Sequence, residues 1–184
     1  MQKTIQNTIK KIIYSLCLIF YTTMTLASHA VLLVSLGMPD NTLKSYFKQA
    51  KQYHIPVVIR GFYTDKQDTS ADHTIGSFGD TAKRVKTLLQ NNVQGGLSIN
   101  PLLFRAFGIK VVPALVIYND IEDCIKATAH APKKRCDEDR YDVIYGNLPI
   151  NKQLKVIASR SQNPTRSEYA NSLLLKYIPK GATQ

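Results

Sequence analysis

Two short, continuous apolar runs separated by a single helix-period stretch constrain this chain more than any other feature. Residues 29–35 read His-Ala-Val-Leu-Leu-Val-Ser and are bounded by Gly37 and Pro39. Residues 55–59 read Ile-Pro-Val-Val-Ile and are closed by Arg60 and Gly61. Runs this short, rich in Val, Leu and Ile and lacking polar alternation, predict strands buried on both faces. Pro56 is tolerable only near the start of the second. Between them Leu43, Phe47 and Ala50 recur at helical spacing, and Asp40 or Asn41 can cap that helix, which ends near Tyr53 and His54. A strand, a crossover helix and a second strand imply parallel pairing.

Residues 62–74 are polar and read as a solvated loop. Ser77 or Asp80 starts a second helix, with Ala82, Val85 and Leu89 on one face and Lys83, Arg84 and Lys86 outward. Asn91, Asn92, Gly95 and Gly96 end it. Asn100 and Pro101 open a shorter helix through Phe107, with proline at a favoured first-turn position. Residues 108–118 predict a third strand with Pro113 at its start, and residues 141–145 a fourth, stopped by Gly146 and Asn147. Pro149 precedes a helix whose Ile150, Leu154 and Ile157 share a face. The last two strands, joined by a loop, predict an antiparallel pair. The expected fold class is α/β, a central mixed four-stranded sheet flanked by helices on both faces.

The N-terminus reads differently from the rest. Residues 1–11 carry Lys3, Lys10 and Lys11 and no acid, residues 12–27 are mostly apolar, and small residues follow at a peptidase spacing ending at Ala27 or Ala30. This is the pattern of a cleaved signal peptide. The apolar stretch is shorter than the roughly 20 residues a spanning helix needs, so no stable membrane insertion is expected after cleavage. The chain then divides into a signal peptide (1–27), one domain (28–160) and a C-terminal tail (161–184). Within the tail a short helix carrying Tyr169, Leu173, Leu174 and Leu175 can dock on the domain or bind a partner.

Removing three lysines from a net charge of +11 leaves +8. The lysines and arginines are spread over helices with no interleaved stacking aromatics, which argues against nucleic acid as a partner. Cleavage also removes Cys17 and leaves an even pair, Cys124 and Cys136, which in an oxidising compartment reads as one disulfide. A second reading stays open, because Lys126, Lys133, Lys134 and Arg135 could lower a thiol pKa and make the pair exchangeable. His130 lies between the cysteines, but a fourth zinc ligand at suitable spacing is missing, and no cofactor is implied.

Residues 107–114, Phe-Gly-Ile-Lys-Val-Val-Pro-Ala, resemble the thioredoxin-superfamily segment in which a glycine-containing turn leads to a cis-proline at the mouth of the third strand. That resemblance implies a thioredoxin-like sheet and a loop around Pro113 that presents backbone to bound peptide. The first strand–helix junction, where a redox member carries Cys-x-x-Cys, reads Val-Ser-Leu-Gly-Met-Pro-Asp over residues 34–40. Without a thiolate at that helix N-terminus the usual oxidoreductase route is closed.

More narrowly, residues 31–159 resemble the TrbC family of F-type conjugative type IV secretion systems. The resemblance rests on Leu33-Val34-Ser35 leading to Met38-Pro39-Asp40, then Val57-Val58-Ile59-Arg60-Gly61, and Ile99-Asn100-Pro101-Leu102-Leu103-Phe104. Phe107-Gly108-Ile109, Val112-Pro113-Ala114 and Gly146-Asn147 complete it. It implies a periplasmic, non-catalytic factor in pilus assembly, with other periplasmic conjugative-transfer proteins as partners. The alternative is a divergent thiol-disulfide exchange protein using Cys124 and Cys136. The thioredoxin resemblance puts Met38 and Pro39 at the site of the lost cysteines, near the expected cis-proline loop of Val112 and Pro113. These four with Arg60, which ends a buried strand at the carboxyl edge where α/β folds place function, are the candidate partner-binding residues.

Overall fold

The computed structural model describes residues 28–64, 76–89, 97–131 and 133–176. The expected signal peptide, most of the loop over 62–74, the end of the second helix at 90–96 and the last residues of the tail lie outside the described residues.

The first apolar run forms β1 (His29–Val34) and the second β2 (Val57–Ile59), paired in parallel with Leu32 opposite Val57. All three residues of β2, and all but His29 in β1, are buried, as expected of strands covered on both sides. The intervening helix is α1 (Asp40–Tyr53). Its carbonyl-supplying start is Pro39, which accepts from the Leu43 N–H at 3.0 Å, and His54 closes it with a positive φ of 54°. Its inward face is Leu43, Tyr46, Ala50 and Tyr53.

The second helix, α2 (Phe78–Leu89), is started by Ser77 and not by Asp80. The Ser77 hydroxyl accepts from the Asp80 N–H at 2.9 Å. Its inward face is turned from the expected one: Thr81 and Leu88 are buried, Val85 packs against the core, and Ala82 is exposed. Arg84 is not outward. It reaches Asp40 at 2.5 Å and donates to the Leu36 carbonyl at 3.3 Å.

The sheet has five strands, not four, in the order β3-β2-β1-β4-β5. The additional one is β3 (Leu97–Ile99), an edge strand parallel to β2. It is three residues long and largely exposed, so it leaves no apolar run to read. Asn100 caps the helix that follows, α3 (Pro101–Ala106), its side-chain oxygen accepting from the Leu102 and Leu103 N–H groups at 3.1 and 3.3 Å.

The strand expected over 108–118 begins only at Ala114, forming β4 (Ala114–Tyr118) antiparallel to β1. The residues before it are a loop, with a left-handed Gly108 (φ 61°) and a cis Val112–Pro113 bond. β5 (Tyr141–Tyr145) pairs antiparallel to β4. The connection between them is more than a loop: it contains α4 (Glu122–His130) and a 3-10 turn (Glu138–Arg140). The chain ends in α5 (Ile150–Arg160) and α6 (Pro164–Leu175).

Alternate residues of β1 sort the core into two layers. Leu32 and Val34 face a layer with Leu43 and Ala50 of α1, Leu88 of α2, Ile150, Leu154 and Ile157 of α5, and Ala170 and Leu173 of α6. Val31 and Leu33 face the other, with Leu103 and Phe104 of α3, Phe107, Ile109, Cys124 of α4 and Cys136. Helices therefore cover both faces. The tail helix docks: Leu173 is buried, Leu175 is exposed, and Arg166 is buried with its guanidinium 2.6 Å from Asp142 of β5. Asp142 also accepts from the Ser161 hydroxyl, and Arg166 donates to the Asp139 carbonyl at 2.9 Å.

Candidate functional site

Because β1 and β2 are parallel, their carboxyl ends open on the same edge of the sheet. β4 runs the other way, so the loop that feeds it arrives at that edge too. The three segments enclose a cavity of about 540 Å³. Residues 34–37 form one wall, residues 59–64 a second, and Phe104, Ile109, Lys110 and Val112 the third.

Arg60 is the first residue past β2. Its guanidinium donates to the Ile109 carbonyl at 2.9 Å and lies 5.4 Å from the Phe104 ring centre, over its face. The side chain thus ties the end of β2 to the loop before β4. Among the described residues no carboxylate pairs with it or with Lys110. The opposite wall is braced by Arg84, which holds Asp40 and Leu36 and lies 5.5 Å over the Tyr63 ring. The Tyr63 N–H donates to the Thr81 hydroxyl at 2.8 Å. The turn after β1 is closed by the Met38 N–H donating to the Ser35 carbonyl at 3.1 Å.

The structure brings Arg60 and Val112 together in the cavity wall. Met38 and Pro39 sit on the adjoining turn: Met38 packs against the core beside α1, and Pro39 is exposed at the helix start. Pro113 is buried behind the wall, its carbonyl accepting from the Gly146 N–H at 3.1 Å. Phe62, Tyr63, Phe104 and Lys110 also line the cavity and were not singled out from sequence. Phe62 and Tyr63 stand in a polar stretch, where they carry no periodicity that could have marked them.

Cys124 and Cys136 are joined as a disulfide with Cα atoms 5.4 Å apart. Both residues are buried, at 7% and 5% exposure, in the layer beneath α3, and the Cys136 N–H donates to the Ala106 carbonyl at 2.8 Å. Neither lines the cavity. Exchange requires an attacking thiolate to reach a sulfur, and burial of this depth opposes it. Near the start of α4, the helix that carries Cys124, Asp123 forms a two-pronged pair with Arg140, at 2.8 and 2.9 Å. That pair holds the Asp123 carboxyl down at about 2 from its ordinary 3.8. The described residues contain no group of three or more potential metal ligands and no helix long and apolar enough to cross a membrane.

A family described as type-F conjugative transfer system pilin assembly protein (TrbC) matches residues 32–157, from β1 through most of α5. The chain belongs to that family. The matched span contains the whole cavity wall. Periplasmic protein TrbC of Escherichia coli (strain K12) is 28% identical over 130 residues, which cover 71% of this chain. The match spans about half of that relative, 48% of its length. No solved structure matches the chain significantly. The helix α6, with its buried Arg166, lies beyond the family-matched residues.

Proposed function

We propose that the chain is a non-catalytic periplasmic assembly factor of a type-F conjugative transfer system, acting in pilus assembly by binding other transfer proteins. The observation that carries this is the family match, which takes in four of the five strands over their full length, the second half of β1, and every residue lining the cavity. Export by a signal peptide over residues 1–27 is part of the proposal, and the name of the E. coli relative supports a periplasmic location. A thioredoxin-like design for the domain is supported by the central β1, the antiparallel β4 and the cis Val112–Pro113 bond before it. The turn after β1 carries no cysteine, so the design is used for binding.

The proposed docking face is the cavity mouth, with Arg60 and Val112 in its wall, Met38 and Pro39 on the neighbouring turn and Pro113 fixing the loop from behind. Thiol-disulfide exchange through Cys124 and Cys136 gains no support from two buried cysteines that do not line that face. A donor strain with this chain deleted in frame is expected to make pilin at the ordinary level yet display no surface pili by electron microscopy. A plasmid-borne copy should restore them. Normal pili on the deletion strain would remove the assembly role.

A further inference from the structure

We infer that the cavity at the carboxyl ends of β1 and β2 takes an acidic peptide segment, with a carboxylate at Arg60 and Lys110 and an apolar side chain against Phe62. The inference rests on reading this face as a docking surface, and it names the chemistry of what docks. Among the described residues, the charged ones lining the cavity are Arg60 and Lys110, both cations, and none is a carboxylate. Arg84, Arg140 and Arg166 each hold an aspartate, whereas among the described residues neither Arg60 nor Lys110 does. The bond to the Ile109 carbonyl uses one of the five guanidinium N–H donors of Arg60 and fixes its plane against Phe104. The remaining donors form a pre-oriented fork of the kind that binds carboxylates.

Apolar surface accompanies the charge. Phe62 is 50% exposed in the wall, and Val111, between the lining residues Lys110 and Val112, is 62% exposed. A free inorganic anion would use the cations and leave this surface wet. An extended peptide uses both, because side chains at alternate positions project to one side about 7 Å apart.

Protein recovered from the periplasm of an expressing host would be titrated against three labelled probes by fluorescence anisotropy. The probes are a peptide of about ten residues repeating Asp-Ser-Val-Ser, which sets aspartate and valine on the same side of an extended chain, its lysine counterpart, and a single-stranded oligonucleotide of equal charge. The acidic peptide should bind at least about tenfold more tightly than either of the others. Lys110→Gln, at an exposed residue of the cavity wall, should weaken it several-fold without changing the melting temperature. Arg60→Gln combined with Lys110→Gln should weaken it by more than about tenfold. Arg160→Gln, which removes a cation outside the cavity, should leave it unchanged. Equal binding of the two peptides, tighter binding of the oligonucleotide, no binding of any probe, or the same loss from Arg160→Gln would each overturn the inference. Surface pili in the deletion strain report on the assembly role separately, so the two can fail independently.

Discussion

Replacing both Cys124 and Cys136 with alanine isolates what the disulfide contributes. The two residues are 12 positions apart, so the bridge closes a loop of about 13 residues. In the chain-entropy account a loop of that length restricts the unfolded chain enough to stabilise the fold by about 3 kcal/mol at 25 °C. Alanine avoids placing two hydroxyls in the layer under α3, where each would cost about 1–3 kcal/mol if left without a partner. For a domain of this size, about 3 kcal/mol corresponds to a drop of roughly 6–12 °C in melting temperature. The fold should survive, because domains typically hold about 5–15 kcal/mol. Urea unfolding followed by far-UV circular dichroism would compare oxidised wild type, wild type in excess dithiothreitol and the double variant. The last two should coincide, both about 3 kcal/mol below the first. A loss under about 1 kcal/mol would refute the entropic reasoning. An undiminished stability together with lost pilus assembly would instead revive exchange chemistry.

The buried Arg166 predicts that the tail helix is part of the domain: Arg166→Ala leaves Asp142 partly shielded without its ion and should cost about 3 kcal/mol in urea unfolding. A change within experimental error would mean that α6 adds little. Gly108 has a φ of 61°, and a Cβ there would fall 2.9 Å from the Arg135 guanidinium. Gly108→Ala should therefore destabilise by about 1–2 kcal/mol, whereas Gly61→Ala, with open space around it, should be near neutral. Asp123 titrates at about 2 in the folded state against 3.8 ordinarily, chiefly through its hydrogen bonds to Arg140. Its folded pKa is depressed, so the stabilisation is complete above about pH 5 and is lost as pH falls from about 4 to about 2. The difference in urea midpoint between wild type and Asp123→Asn should be small, because the carboxylate is exposed. It should be constant above pH 5 and vanish near pH 2; a difference that grows with acidity would contradict the pairing.

The parts of the fold legible in the sequence are those where one force dominates. β1 and β2 were readable because strands buried on both faces must be apolar throughout, and α5 because Ile150, Leu154 and Ile157 each meet the same sheet face. β3 was not readable, since an edge strand with exposed residues takes its order from backbone pairing to β2, which leaves no side-chain pattern. The helix α4 was missed because it is short, polar outside, and buries only Cys124 and Thr128. In the site, Arg60 was found from its place at a strand end, but its role as a tie to Ile109 depends on a contact 49 residues away in sequence. Lys110 and Phe62 look like ordinary loop residues until the parallel strands and the antiparallel β4 bring their loops to one edge.

Plasmid transfer frequency from a donor lacking this chain, with the complemented donor beside it, tests the central claim most directly. Membership of the pilin assembly family predicts a large drop in transfer that the complementing copy restores. Unchanged transfer in the deletion donor would contradict the account, leaving a family fold that does not serve conjugation here.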